Sequence, residues 1–205
     1  DGTIPYEAQE KYLNIILSET DRLTNLTSNL LELNSFNGDN VLLDITTFNI
    51  CETIVQTVNT LEGTAAKKEI SFVLDYNTQK ELLVEADESK IHQVLYNLID
   101  NAVKFSHNNS EIKISLRKKG AKVFVSVKDS GIGIPKESLN KVFDRFYKTD
   151  ISRGKDKRGT GLGLSISKEI VQAHNQTINV VSTVDVGTEF VFTLKYHSKK
   201  QEASS

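Results

Sequence analysis

Three glycines stand at every second position in the stretch RGTGLGLSIS (158–167), and a helical run follows them: Gly159, Gly161 and Gly163. Backbone N–H groups at the start of a helix favour bound anions, because the helix dipole is positive there. The stretch is not a P-loop, since no Gly-Lys-Ser/Thr follows the glycines, although Thr160 lies between two of them. We therefore predict a phosphate site at this helix start, with a flexible solvated loop as the alternative.

A predicted helix over residues 88–105 places three polar side chains on one stripe. At 100° per residue, Asn97, Asn101 and Lys104 fall within about 60° of one another. Asn oxygens can ligate Mg²⁺, which prefers hard oxygen ligands together with substrate phosphates, and a lysine contributes a point charge. The stripe is typical of a polyphosphate surface, although a solvated helix flank has the same composition.

The segment DSGIGIP (129–135) follows directly from a strand with alternating apolar residues. Asp129 ends the strand, and Gly131 and Gly133 allow the backbone to approach a ligand closely. The segment is not a dinucleotide fingerprint, because the third glycine is missing and the strand belongs to a hairpin. Asp129 can accept a hydrogen bond from an exocyclic amine such as that of adenine; an ordinary turn is the alternative. Gly187 and Thr188 begin a later strand, where a turn is the usual explanation.

A cationic segment lies between these motifs. Residues 148–159 carry five basic side chains and little that could form a core: Lys148, Arg153, Lys155, Lys157 and Arg158. We expect this segment to be mobile and its charge to cover an anion. Phe143 and Phe146 precede it and are predicted to anchor its base.

Alternating strands and helices must position these motifs. Hydrophobic periodicity predicts helices over 51–68, 88–105 and 135–146, and one after the glycines. It predicts strands at 46–50, 70–75 and 82–87, a hairpin from 111–117 and 122–129, and a second hairpin from 177–182 and 188–196. This order indicates an α+β fold: a two-layer sandwich with a mixed β-sheet and helices on one face.

A long, coiled-coil-like helix is predicted over residues 6–35, ahead of the sandwich. Ile16, Leu23 and Leu30 recur every seven residues, with Leu26 and Leu33 three positions after the last two. Such an apolar seam needs a partner. The candidates are a sister helix missing from this sequence, another subunit, or the helix's own domain.

Composition sets limits on the class of protein. The chain has 205 residues and a formal net charge of −2, which gives no indication of nucleic-acid binding. No apolar stretch approaches the roughly 20 residues of a membrane span, and no signal peptide is visible. Cys51 is the single cysteine, which excludes an internal disulfide framework and a cysteine zinc cluster.

In their order, the motifs resemble those of the GHKL ATP-binding fold: an Asn-rich helix, Asp-x-Gly-x-Gly after a strand, two phenylalanines, Gly-x-Gly-x-Gly, and Gly-Thr before a last strand. More narrowly, they resemble the catalytic domain of sensor histidine kinases of two-component systems. ADESKIHQVLYNLIDNAVKFS and GTGLGLSISKEIVQAH are close to that family's consensus. The resemblance divides the chain into 1–36, the second helix of the dimerisation and phosphotransfer hairpin; 37–44, a linker; 45–197, the ATP-binding catalytic domain; and 198–205, a disordered tail.

The resemblance implies ATP and Mg²⁺ as ligands. Asn101 would ligate Mg²⁺, and Asp129 would hold the adenine amino group, with Thr188 supporting it through water. Lys148 and Arg153 would contact the γ-phosphate, and no residue is assigned to catalysis with certainty. The implied nucleotide-binding residues are Asn97, Asn101, Lys104, Asp129, Gly131, Gly133, Ile134, Tyr147, Lys148, Arg153, Gly159, Thr160, Gly161, Leu162, Gly163, Leu164 and Thr188.

The sequence departs from the family pattern at the phosphate acceptor. A sensor kinase phosphorylates a histidine that is followed by an acidic residue, whereas the residues after the four histidines here are Gln93, Asn108, Asn175 and Ser198. The chain begins at Asp1 and contains no methionine. We therefore expect the acceptor helix to lie upstream, and this chain to bind Mg-ATP without being able to phosphorylate itself.

The expected activity is that of an ATP-dependent protein-histidine kinase, with the phosphoryl group relayed to a response-regulator aspartate. The expected partners are a cognate response regulator and a second copy of the chain, joined through the helical hairpin. The expected location is the cytoplasmic side of a membrane-anchored bacterial sensor, with the anchor in upstream segments. Two alternatives are a GHKL ATPase of another branch and a nucleotide-binding pseudokinase or scaffold.

Overall fold

A mixed sheet forms one layer of this computed structural model, which describes residues 6–35, 42–76, 81–149 and 159–198. Its strands are β1 (Thr46–Asn49), β2 (Ser71–Asp75), β3 (Leu83–Ala86), β4 (Glu111–Lys119), β5 (Lys122–Lys128), β6 (Ile178–Thr183) and β7 (Gly187–Tyr196). Their order is β1-β3-β7-β5-β4-β2, and β6 also pairs with β7. The pair β2–β4 is parallel and the other pairs are antiparallel. Both predicted hairpins, β4–β5 and β6–β7, are confirmed.

Helices form the second layer. They are α2 (Ile50–Ala66), α3 (Glu88–Phe105), α4 (Lys136–Leu139) and α5 (Gly163–Ala173), and the long helix α1 (Tyr6–Ser35) precedes the sandwich. Helix α3 contacts α2 on one side and α5 on the other. The predicted α+β sandwich is confirmed, with one long helix preceding it.

Helix α3 is the central helix of the core. Its apolar residues recur every three or four positions and are buried: Ile91, Val94, Leu95, Leu98, Ile99, Ala102 and Val103. Each large one contributes roughly 1.5–3 kcal/mol by leaving water. The Asp87 carboxylate caps the helix by accepting a hydrogen bond from the Lys90 N–H, at 3.1 Å. Because this face is fixed against the sheet, the polar stripe on the flank of α3 is held in one orientation.

The predicted helix over 135–146 is wrong in length, because regular helix ends at Leu139. Beyond it the N–H groups of Lys141 and Asp144 bond to carbonyls three residues back, which makes successive tight turns. Phe146 has a positive φ of 63°, which no α-helix allows. The turns place Val142 in a buried position and set the Phe143 ring edge-on to Phe190, at 6.1 Å between centroids. Tertiary packing therefore overrides helix propensity here.

Helix α1 packs on the domain through its C-terminal half. Leu33 is only 1% exposed, and Leu26 and Leu30 pack against the same core. Ile16 and Leu23, which belong to the same heptad pattern, are 60% and 53% exposed. The predicted seam is thus divided between its own domain and solvent. Among the described residues, no helix is long and apolar enough to cross a membrane.

Candidate functional site

A cleft of about 770 Å³ opens between α3, the turn after β5, the segments around 142–149 and 159–164, and α1. Its volume is in the range of small-molecule sites. Fourteen of the residues predicted from the sequence line it: Asn97, Asn101, Lys104, Asp129, Gly133, Ile134, Tyr147, Lys148, Gly159, Thr160, Gly161, Gly163, Leu164 and Thr188. The structure therefore brings together four motifs that are far apart in the sequence.

Asp129 lies directly after β5 and is 5% exposed. Its Oδ1 accepts hydrogen bonds from the backbone N–H of Gly131, at 2.9 Å, and from that of Thr188, at 3.1 Å. Among the described residues, the hydrogen bonds that this carboxylate accepts are both to Oδ1. The side chain is thus fixed in orientation while facing the cleft.

Burial raises the pKa of Asp129 to about 6, although the two backbone N–H groups and the charge of His107 act in the opposite direction. The folded protein therefore holds a proton on this group more tightly than the unfolded chain does. Its ionised form reduces the free energy of unfolding above pH 6, and this penalty disappears as the pH falls below about 4. A buried carboxylate whose ionised form lowers the stability of the folded protein is typical of a functional site.

Thr188 positions Asp129 through its backbone as well as lining the cleft. The Asp129 N–H donates to the Thr188 carbonyl at 2.9 Å, in addition to the bond from the Thr188 N–H. The Thr188 hydroxyl lies 3.0 Å from the Ser182 hydroxyl, which also donates to the Gly187 carbonyl at 2.8 Å. Ser182 was not predicted as a site residue. It joins the β6–β7 hairpin to the residue that holds the carboxylate.

Gly131 and Gly133 are required by contacts within the protein. A Cβ on Gly131 would collide with the Phe105 carbonyl at the end of α3, and one on Gly133, whose φ is +67°, would collide with the Thr183 carbonyl at the end of β6. Contacts within the protein therefore account for both glycines, and their approach to a ligand stays a prediction. Gly133 does line the cleft, whereas Gly131 is buried and is absent from the cleft lining.

The three residues of the polar stripe of α3, Asn97, Asn101 and Lys104, differ in what they contact. The Asn97 side-chain N–H₂ donates to the Gly163 carbonyl at 3.1 Å and to the Ser167 hydroxyl at 3.3 Å, which ties α3 to α5. Lys104 forms an ion pair with Asp100 at 2.6 Å. Asn101 is half-buried and faces the cleft between these two.

The two predicted aromatic anchors act differently. Phe143 packs its ring on the core, as expected. The Phe146 side chain is 57% exposed, so its ring does not anchor the segment. The anchor at this position is the backbone, since the Phe146 N–H donates to the Gly161 carbonyl at 3.0 Å and a Cβ on Gly161 would meet the Phe146 backbone. The Tyr147 hydroxyl donates to the Ser138 hydroxyl at 2.9 Å and fixes the next residue.

The N-terminus of α5 opens on the cleft through Gly163, and among the described residues no side-chain capping hydrogen bond is made at this helix start. The Thr160 hydroxyl accepts a hydrogen bond from the Leu162 N–H at 3.3 Å, which shapes the turn before the helix. Leu162 was predicted to bind the ligand, but its side chain is fully buried in the core and is not part of the cleft lining. Arg153, the second predicted γ-phosphate residue, lies outside the described residues.

Residues 86–198 match the family of histidine kinase-, DNA gyrase B-, and HSP90-like ATPases. The chain belongs to this family. Sensor histidine kinase WalK of Bacillus subtilis (strain 168) is 36% identical over 194 residues, which cover 94% of this chain and 31% of that protein. This chain therefore spans less than a third of the length of that relative.

Solved structures give the same result for this ATPase family member. The catalytic domain of histidine kinase ThkA superposes with a TM-score of 0.65 and 36% identity, covering 74% of this chain and 95% of that one. ThkA in complex with the response regulator protein TrrA superposes with a TM-score of 0.73 and 32% identity, covering 97% of this chain and 54% of that one. The chain contains the ATP-binding catalytic domain of a histidine kinase related to WalK.

Besides Tyr96, Asp100 and Thr149, two groups of residues in the cleft of this histidine kinase domain were missed from the sequence. One is apolar: Phe105, Ile132, Val142 and Phe190. Apolar residues of this kind are usually assigned to the core, so the sequence gives no separate signal that they line a cleft. The other belongs to α1: Asn14, Leu17, Ser18, Asp21, Arg22, Asn25 and Asn29. Their polar residues recur every three or four positions, but that spacing is also typical of a solvated helix face.

Proposed function

We propose that the cleft binds Mg-ATP, and that the chain is the catalytic part of a sensor histidine kinase which transfers the γ-phosphoryl group to a histidine on a helix outside this sequence. The observation that carries the proposal is the position of the buried Asp129 carboxylate. It faces the same cleft as the polar stripe of α3 and the N-terminus of α5. The cleft thus offers an acceptor for a base with an amino group, together with groups that suit phosphates.

Asp129 supports binding of adenine. Its Oδ1 already accepts two backbone N–H groups, so we assign Oδ2 as the acceptor for the exocyclic amine of the base. Phe105, Ile132 and Phe190 supply apolar surface in the same cleft for the ring. The Thr188 hydroxyl, held by Ser182, is suited to support the base through a water molecule, as the family resemblance implies.

Asn101 supports binding of Mg²⁺ with the phosphates. Among the described residues, no group of three or more His, Cys, Asp or Glu side chains could hold a metal by themselves. A neutral amide oxygen beside a polyphosphate fits Mg²⁺, which is commonly held by few protein ligands together with substrate phosphates. Bound Mg²⁺ would neutralise phosphate charge. Lys104, Lys148 and the backbone N–H groups at the start of α5 would orient the phosphates, and we propose the same role for Arg153.

The histidines of the described chain support an external acceptor. His174 ends α5, with Nε2 accepting a hydrogen bond from the Asp87 N–H at 2.9 Å, and His197 lies 3.1 Å from Glu85. His92 is half-buried on α3 and His107 is exposed beyond its end, and neither is followed by an acidic residue. We therefore assign the acceptor to a separate helix, of the kind that would pair with α1.

The exposed apolar residues of α1 support pairing with other helices. Leu13, Ile16, Leu23 and Leu31 are each more than half exposed along one side of α1. We propose that this side joins a helical hairpin and a second copy of the chain. We also propose that a response regulator receives the phosphoryl group, and that the domain belongs to the cytoplasmic side of a membrane-anchored bacterial sensor.

Mixing the chain with a separate polypeptide that carries an acceptor helix tests the proposed reaction. With γ-labelled ATP and Mg²⁺, we expect label on a histidine of the added helix, recognised by its acid-labile, base-stable linkage. The Asp129→Asn variant is the matched control and should give no label. Binding of ATP without transfer to any acceptor helix would favour the pseudokinase or scaffold alternative.

Adenosine binding by the proposed site should depend on pH. Because the ionised carboxylate accepts the amine, affinity should be half its full value near the pKa of about 6, approach the full value above about pH 7, and fall by up to about tenfold per pH unit at lower pH. Adenosine is the suitable probe, since it lacks phosphate groups that titrate in this range. Calorimetry between pH 5 and 8 measures the midpoint. His107→Asn should move it upward, because His107 lowers the pKa of Asp129; a flat profile in the wild type would contradict the assignment.

A further inference from the structure

Helix α1 has three distinct faces. Leu26, Leu30 and Leu33 pack against the core of the domain. At 100° per residue, a polar arc of about 100° lies beside them, and it consists of Asn14, Ser18, Asp21, Arg22, Asn25 and Asn29. The remaining arc carries the exposed apolar residues proposed above to pair with other helices. The polar arc is therefore distinct both from the face packed on the domain and from the exposed apolar face.

All six polar residues of this arc line the nucleotide cleft. From Asn14 to Asn29 they span about 22 Å along the helix axis, at 1.5 Å per residue. Helix α3 also lines the cleft, through residues that include Tyr96, Asp100 and Asn101. The cleft is thus closed on one side by a helix that lies outside the ATPase family match, which begins at residue 86.

Arg22 is the single cation among the α1 residues that line the cleft. Its Nε donates to Glu19 at 2.8 Å, in a pair whose carboxylate side chain is 53% exposed and does not line the cleft. A pair this exposed holds the guanidinium only weakly. Arg22 can therefore give up part of this contact for phosphate oxygens, which a guanidinium binds through two parallel N–H groups.

We propose that α1 is a wall of the nucleotide site and that Arg22 binds the phosphates of the nucleotide held by the catalytic domain. The proposal rests on the proposed binding of ATP to the cleft. Because the nucleotide then contacts both α1 and α3, it links the two. Binding of ATP stabilises the docked position of α1, and by linkage docked α1 raises the affinity for ATP to the same degree.

The test compares Arg22→Ala with Glu19→Ala in the full chain. Calorimetry with Mg-ATP should show affinity on the order of tenfold weaker for Arg22→Ala, since a charge-assisted contact is lost. Arg22→Lys should restore part of it. Glu19→Ala breaks the same ion pair without removing the cation, so its affinity should equal or exceed that of the wild type. Adenosine, which has no phosphate, should bind all four proteins equally.

Hydrogen exchange of α1 gives a second readout. Mg-ATP should slow amide exchange over residues 14–29 in the wild type, and much less in Arg22→Ala at equal saturation. Equal loss of ATP affinity in Arg22→Ala and Glu19→Ala would assign the effect to helix stability and overturn the proposal. So would unchanged affinity in Arg22→Ala. If the wild type itself binds no Mg-ATP, the proposed function fails instead, and that outcome is visible before any variant is compared.

Discussion

Asp129→Asn is expected to weaken ATP binding by a factor on the order of 100 or more, equivalent to about 2.7 kcal/mol. In the variant, the amide oxygen takes the place of Oδ1 and accepts the Gly131 and Thr188 N–H groups, which donate to that position. The amide N–H₂ then faces the amino group of adenine. The site loses an acceptor and places two donors against each other. Calorimetric titration with Mg-ATP measures the change.

The same variant should keep or increase the stability of the unliganded protein. Because the folded pKa of Asp129 is raised to about 6, its ionised form reduces the free energy of unfolding at pH 7, by up to about 3 kcal/mol. A neutral amide removes that cost. Urea unfolding of the ligand-free protein therefore separates lost binding from misfolding: lost affinity in a protein that has become much less stable would not support the adenine assignment.

A change of base preference provides a positive signal. Guanine presents a carbonyl oxygen where adenine presents an amino group. The wild-type carboxylate repels that oxygen, whereas the amide N–H₂ of Asp129→Asn can donate to it. The ratio of ATP to GTP affinity should therefore fall in the variant. An unchanged ratio would show that this carboxylate does not contact the six-position of the base.

Asn101→Ala is expected to abolish most of the gain in ATP affinity that Mg²⁺ provides. Asn101 is the position between the Asn97–Gly163 contact and the Lys104–Asp100 pair, and its amide oxygen is the proposed metal ligand. Without that ligand, the affinities with and without Mg²⁺ should approach each other, a loss of roughly tenfold to 100-fold with Mg²⁺ present. Calorimetry with Mg²⁺ and with EDTA measures both, and adenosine binding should be unchanged.

Asn101→Asp separates the metal role from a role in packing. The carboxylate keeps the size and an oxygen ligand but adds a negative charge beside the phosphates. Affinity without Mg²⁺ should fall below that of the wild type, and the ratio of affinities with and without Mg²⁺ should rise. Asn140→Ala, at an exposed turn after α4, is a matched control. Equal ratios in the wild type and both Asn101 variants would contradict the metal assignment.

Much of this site could be predicted because its motifs follow short-range rules. The alternation in β4 and β5 places Asp129 at a strand end, and the period of α3 separates a buried face from Asn97, Asn101 and Lys104. Prediction was poorer where the packing of side chains determines the backbone conformation. The turns after Leu139 replaced a predicted helix because Val142 and Phe143 pack on the core.

The functions of individual glycines could not be predicted, because their partners are distant in the sequence. Gly131 meets the carbonyl of Phe105, and Gly133 meets that of Thr183. From the sequence both suggested close approach to a ligand. Only the assembled fold shows that a neighbouring helix and strand occupy the space where a Cβ would lie.

The sequence by itself determined most elements of the sandwich, the order of the motifs and half of the residues that line the cleft. The tertiary structure alone decided that Asp129 is buried with one carboxylate oxygen already engaged, and that a polar arc of α1, which includes Arg22, lines the cleft. The physical reason is the same in both cases. Periodicity shows which side chains share a face of a helix or strand. Whether that face is buried, and which groups its side chains contact, depends on the element packed against it.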